Sequence, residues 1–140
     1  MSRNVILDTG PWIALLNPRD RHHGWATETW EYMSAPLHVC EPVVTETCFL
    51  AQRLGPGAQE AVLEFFQRGM IELSFRLAAD GAAVAELLKR YRNVPMSLAD
   101  ACIVRMAEQR ARSVVFTLDS DFAIYRMSGR RRIPALTPTK

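Results

Sequence analysis

The chain has 140 residues, 49% of them hydrophobic, and 17 Lys and Arg against 15 Asp and Glu give it a net charge of +2 and a pI near 8.6. That length and apolar fraction suit one domain over residues 1–140, and no apolar run approaches the roughly 18 residues of a membrane span, so a cytoplasmic protein without membrane association is expected. Met1-Ser2-Arg3-Asn4 leads into a strand rather than a signal-like segment, and the odd set Cys40, Cys48 and Cys102 lacks the pairing of a disulfide framework or a zinc site.

Val5-Ile6-Leu7 reads as a strand buried on both faces of a parallel sheet, and Asp8 ends it. Thr9-Gly10-Pro11 is expected to turn the chain before a short helix over 12–16, which Asn17-Pro18 stops. Trp25, Thr29, Tyr32 and Met33 recur at helical spacing and predict a helix over 22–34. A second strand over 37–40 leads to a helix that Pro42 opens and Gly55-Pro56-Gly57 closes. A helix over 58–68 ends at Gly69, a third strand covers 70–75, and Asp80 is expected to cap a helix over 81–91. Ser97 starts the most regular helix, running to 112. Strand 114–118 follows, Asp119 is expected to cap a short helix reaching 127, and 133–136 adds an edge strand. Strands alternating with helices predict an α/β fold around a parallel sheet, with no internal repeat or linker.

Parallel sheets bind ligands just beyond the carboxyl ends of their strands, where Asp8 and Asp119 both fall. Asp100 completes a capping pattern with Ser97, yet Ile103, Val104 and Ala107 put it on the apolar face of its helix. A carboxylate there is costly unless a cation, a donor or a proton compensates it. Glu46 sits at the edge of a similar stripe beside Phe49 and Leu50, and Asp121 follows Asp119 by two residues. Thr9 is placed either to satisfy the turn or to orient a water or ligand. Acids gathered at one edge repel, which a bound cation relieves, and an all-oxygen set suits Mg²⁺ or Mn²⁺. Such an ion activates water and neutralises a phosphoryl oxygen, so phosphodiester hydrolysis is the reaction class that follows.

Val5-Ile6-Leu7-Asp8-Thr9-Gly10-Pro11, Thr45-Glu46-Thr47-Cys48, Ser97-Leu98-Ala99-Asp100-Ala101 and Thr117-Leu118-Asp119-Ser120-Asp121-Phe122 together resemble PIN-domain ribonucleases, especially VapC toxins of toxin-antitoxin pairs. The resemblance implies a central sheet of order 3-2-1-4-5 and Mg²⁺-dependent endonucleolytic cleavage of single-stranded RNA, leaving a 5′-phosphate and a 3′-hydroxyl. By motif position it makes Asp8, Glu46, Asp100 and Asp119 the catalytic metal ligands, with Asp121 a ligand in some members. It also implies a homodimer, an RNA substrate and a small protein antitoxin.

Other features suggest alternatives. His22-His23 could cleave RNA without metal, but a surface pair at a helix start is the plainer reading. Arg130-Arg131-Arg132, with Arg126, is either a solvated turn or an RNA contact offsetting the acids. Trp12, Trp25 and Trp30 read as core or partner-facing aromatics. A non-catalytic PIN-like module that binds RNA or a partner is the first rival. A phosphoacceptor receiver domain is the second, and it would want an aspartate after the third strand, where this chain has Ser74-Phe75-Arg76.

Overall fold

The computed structural model describes residues 3–139. Met1 and Ser2 of the leader reading, and Lys140 of the expected domain, lie outside the described residues. The elements run β1 (Asn4–Leu7), α1 (Thr9–Leu16), α2 (His23–Glu31), β2 (Leu37–Val39), α3 (Glu41–Ala51), α4 (Ala58–Gln67), β3 (Ile71–Leu73), α5 (Leu77–Arg90), α6 (Leu98–Gln109), β4 (Ser113–Phe116), β5 (Arg126–Met127), β6 (Arg131–Arg132) and β7 (Ala135–Leu136).

Five strands form one parallel sheet in the order β3-β2-β1-β4-β7, flanked by the helices. This is the expected 3-2-1-4-5 arrangement, since β7 is the fifth strand of that sheet. The extra numbers belong to a separate antiparallel hairpin, β5 with β6. The continuous apolar runs are explained by position: β1 and β4 lie inside the sheet, and Ile6, Leu7, Val115 and Phe116 are fully buried. Trp12, Ile103 and Met106 pack into the same core, and Trp25 and Trp30 meet Phe116 and Phe65 edge-to-face. Cys40, Cys48 and Cys102 are all free thiols.

The register sets the functional edge. Leu7 pairs with Phe116, and the Asp8 N–H continues the ladder to the Phe116 carbonyl at 3.0 Å. Asp8 and Thr117 therefore leave the sheet side by side, with Asp119 two residues after Thr117.

Three local expectations need correction. Thr9-Gly10-Pro11 does not precede the first helix; it forms the first turn, with Asp8 as N-cap accepting from Thr9 N–H. Gly10 lets the turn pack closely on Leu118: a Cβ there would lie 3.1 Å from the Leu118 side chain, which would have to give by a few tenths of an ångström. Asp80 is not a cap. It lies in the first turn of α5 and accepts from Arg105 of α6 at 3.0 Å and Gln109 at 2.8 Å, a tertiary pairing that local capping rules do not see. The short helix expected to reach residue 127 stops as a 3₁₀ turn at Ser120–Ala123; in the basic run Arg130 is in a turn and Arg131 and Arg132 form a strand. Ser128 and Gly129 take positive φ to close that hairpin, and Glu108 of α6 accepts the Ser128 N–H at 2.6 Å.

Candidate active site

One cavity of about 440 Å³ opens at the carboxyl ends of β1 and β4, and Asp8, Glu46, Asp100, Asp119 and Asp121 all line it, with Thr9 and Ser97 between them. Four elements deliver the acids. Asp8 ends β1, Glu46 comes from α3, Asp100 from the first turn of α6, and Asp119 with Asp121 from the 3₁₀ turn after β4.

Asp8 is held most tightly. It is 8% exposed, and its second carboxylate oxygen accepts from the Thr117 hydroxyl at 2.6 Å. Burial pushes its pKa up to about 6, against the pull of the Thr117 and Thr9 hydrogen bonds, and the charges of Asp100 and Glu46 push the same way. Asp100 forms a capping box with Ser97: the Ser97 hydroxyl accepts the Asp100 N–H at 3.0 Å, and the carboxylate accepts Ser97 N–H at 3.5 Å. The Tyr125 hydroxyl donates to the same Asp100 oxygen at 2.8 Å. Burial still raises the Asp100 pKa, with the Asp119 charge adding to it, while the Tyr125 and Ser97 bonds oppose. Glu46, at the exposed mouth, is also raised, first by desolvation and then by Asp100 and Asp119. Asp119 accepts the Asp121 N–H at 2.9 Å and caps the 3₁₀ turn.

Every one of these residues offers oxygen, and no Lys, Arg or His among the described residues lines the cavity. Mutually repelling carboxylates, two of them buried, fit a hard divalent ion. Thr9 adds to this. Its buried hydroxyl in the cavity wall makes no close hydrogen bond to a neighbour, and it faces Glu46, whose carboxylate it helps to keep charged. No group of three or more acid, His or Cys side chains among the described residues forms a ready-made metal cage. An open cleft of this kind suits Mg²⁺, which keeps several waters and binds through one or two carboxylates plus a substrate phosphate.

Two supporting residues escaped the sequence reading. Thr117 is fully buried, and its hydroxyl donates to Asp8 while accepting the Asp119 N–H at 2.9 Å, so one side chain ties both strand ends together. The signal was a hydroxyl closing an apolar strand, which must find partners when buried. Tyr125, fully buried, gave no signal, because its bond to Asp100 depends on how the 3₁₀ turn folds back over α6. Thr117→Val should cost about 1–3 kcal/mol by leaving the Asp8 oxygen and the Asp119 N–H unpaired, whereas Thr117→Ser should restore most of it. Urea denaturation of the three proteins in EDTA checks this; equal stability would remove Thr117 from its positioning role.

The other candidates lie elsewhere. His22 and His23 do not line the cavity; His22 meets Trp25 edge-on, and the His23 ring nitrogen meets the Ala14 carbonyl at 2.7 Å. Arg126 is occupied by the carbonyls of Ala123, Ile124 and Tyr125. Arg130, Arg131 and Arg132 are all exposed.

The PIN domain family model matches residues 5–127, which contain all five acids. This chain belongs to the PIN-domain family. It is 29% identical over 135 residues to ribonuclease VapC26 of Mycobacterium tuberculosis, covering 96% of this chain and 93% of that protein. The crystal structure of Mycobacterium tuberculosis VapC20, a sarcin-ricin loop cleaving toxin, superposes with a TM-score of 0.80 at 23% identity, over 91% of this chain and 99% of that one. The second likeness bears on the fold alone. PIN-family membership removes the receiver-domain reading.

Proposed function

We propose that this chain is an endoribonuclease dependent on Mg²⁺ or Mn²⁺, and that it is the toxin of a toxin-antitoxin pair. The observation that carries the reading is the gathering of five carboxylates and the Thr9 hydroxyl around one cavity that no Lys, Arg or His among the described residues lines. The relative VapC26, named a ribonuclease, supports the substrate class. Asp8, Glu46, Asp100 and Asp119 are the proposed metal ligands, with Asp121 and Thr9 within the same cavity. When bound, the ion would supply an activated water and neutralise charge on the phosphoryl oxygen.

The protein's own contribution is positional. Thr117 and Thr9 N–H hold both Asp8 oxygens in fixed directions, and the Ser97 capping box and Tyr125 do the same for Asp100. Helix α6 presents its N-terminal dipole to the cavity, favouring an anionic phosphate beside Ser97 and Asp100. Single-stranded RNA is the proposed substrate, a small protein antitoxin the proposed partner, a homodimer the proposed assembly and the cytoplasm the proposed location. No helix among the described residues is long and apolar enough to cross a membrane.

The test is cleavage of an unstructured RNA by purified, partner-free protein. Cutting is expected with Mn²⁺ or Mg²⁺, is lost in EDTA and leaves 5′-phosphate ends. Cutting that survives EDTA with cyclic phosphate products would move the chemistry to histidine. No cutting at any metal concentration would favour the non-catalytic binding module.

A further inference from the structure

The acid cavity shares Leu118 and Asp119 with a second groove of about 470 Å³, a size suited to a small ligand. The groove runs between the 3₁₀ turn at Ser120–Ala123 and the chain from Arg132 to Pro138. Leu118, Phe122, Ile133 and Pro138 make its walls largely apolar, while Ser120 and Thr137 add hydroxyls. Arg132 is the one Lys or Arg among the described residues lining either cavity. Its side chain is in no ion pair among the described residues, whereas its hairpin partner Arg126 is tied to backbone carbonyls.

The hairpin holds Arg132 in place. The Arg126 N–H donates to the Tyr91 hydroxyl at 2.9 Å, and Ser128 is bonded to Glu108, so both ends of the ribbon are pinned to the helices behind it. Arg131 is the preceding residue on β6 and faces the other side, because successive strand side chains alternate. Charge separates this groove from the other cavity next to the acids. That one shares Glu46 and Ser97 with the acid site and is lined by Glu41, Phe49 and Leu98, with no Lys or Arg among the described residues. A polyanion crossing the acids meets repulsion on one side and a guanidinium on the other.

We propose that this groove seats the nucleotide adjacent to the phosphodiester at the acids, in unpaired form, with its base against Leu118 and Ile133 and Arg132 on a backbone phosphate. The proposal rests on the ribonuclease reading and adds to it where the strand lies and why it must be single-stranded there. A base stacked in a duplex has no face free to enter a walled groove, whereas a splayed base of a loop or single strand has. Arginine suits the phosphate, since its planar fork donates two parallel hydrogen bonds.

The experiment measures binding of a fluorescent, unstructured RNA in EDTA across a salt series, by anisotropy, for wild type, Arg132→Ala, Arg132→Lys and Arg131→Ala. Arg132→Ala should weaken binding roughly three- to tenfold at low salt and reduce the slope of log K against log salt by about 0.7, the value for one phosphate contact on a single strand. Arg132→Lys should keep the slope, Arg131→Ala should have the smaller effect, and the same RNA annealed to its complement should bind more weakly. With metal present, Arg132→Ala should raise KM and spare kcat. An unchanged slope in Arg132→Ala, an equal loss in Arg131→Ala, or equal affinity for the duplex would overturn the groove assignment while leaving wild-type cleavage, and the ribonuclease reading, intact. If wild type neither binds nor cuts RNA, the ribonuclease reading falls and the groove assignment with it.

Discussion

Asp8→Asn is expected to abolish RNA cleavage and yet, in metal-free buffer at pH 7, to leave the fold as stable as wild type or up to about 3 kcal/mol more stable. The two effects have one origin. Burial, together with the charges of Asp100 and Glu46, lifts Asp8 from 3.8 to about 6 in the folded protein, so the folded state holds this proton more tightly than the unfolded chain does. The cost of the charge is fully present above pH 6, fades as the pH falls, and is gone below pH 3.8, where both states are protonated. A shift of about two units corresponds to roughly 3 kcal/mol. Asn returns part of this, because its amide can place only one oxygen toward the two donors, Thr9 N–H and Thr117 hydroxyl, that Asp8 serves. Thermal melts of both proteins in EDTA at pH 7 and pH 4 check the account: the variant's advantage should shrink at the lower pH. Retained cleavage would sink Asp8 as a ligand, and a large stability loss at pH 7 would mean its hydrogen bonds outweigh its desolvation.

The same residue shows why part of the site is legible in the sequence and part is not. A strand inside a parallel sheet is apolar on both faces, so Val5-Ile6-Leu7 and Val114-Val115-Phe116 announce themselves, and the acids just past their ends are placed by counting. Asp100 is legible because helical periodicity puts it on the apolar face of α6, where it is in fact 9% exposed. The order of the sheet follows from resemblance, since a three- or four-residue strand carries no information about its neighbour. What fails to show is whatever depends on contacts far apart in the chain. Thr117 reaches Asp8 across 109 positions, Asp80 is drawn to Arg105 and Gln109 on another helix, and the hairpin at 126–132 is a two-stranded ribbon without an apolar face to give it period two. The arginine run illustrates the last point: its composition suggests a turn, and only the alternation along β6 separates Arg132 from Arg131.

Asp100→Ala should lose cleavage and also destabilise the protein, by about 1–3 kcal/mol in EDTA, in contrast to Asp8→Asn. The capping box alone predicts about 1 kcal/mol, because Ser97 N–H loses its acceptor while Ser97 still caps the helix through its own hydroxyl. Tyr125 enlarges the loss. Tyr125 is fully buried, and with Asp100 gone its hydroxyl loses its acceptor, a penalty of about 1–3 kcal/mol by itself. Relief of the carboxylate's desolvation, and then of repulsion from Asp119, offsets part of the sum, which keeps the net effect in the lower range. Two further variants separate these causes. Asp100→Asn keeps an oxygen acceptor for Tyr125 and Ser97, so it should be inactive but close to wild type in stability. Adding Tyr125→Phe to Asp100→Ala should recover stability, since the stranded hydroxyl is removed, although Tyr125→Phe alone should cost stability by freeing a buried carboxylate oxygen. Non-additivity of that sign in a denaturation cycle, with both Asp100 variants inactive, would establish Asp100 as ligand and structural acceptor at once. Simple additivity would confine Tyr125 to packing against Tyr91 and Phe122, whose rings it meets edge-on at 5.1 and 5.3 Å.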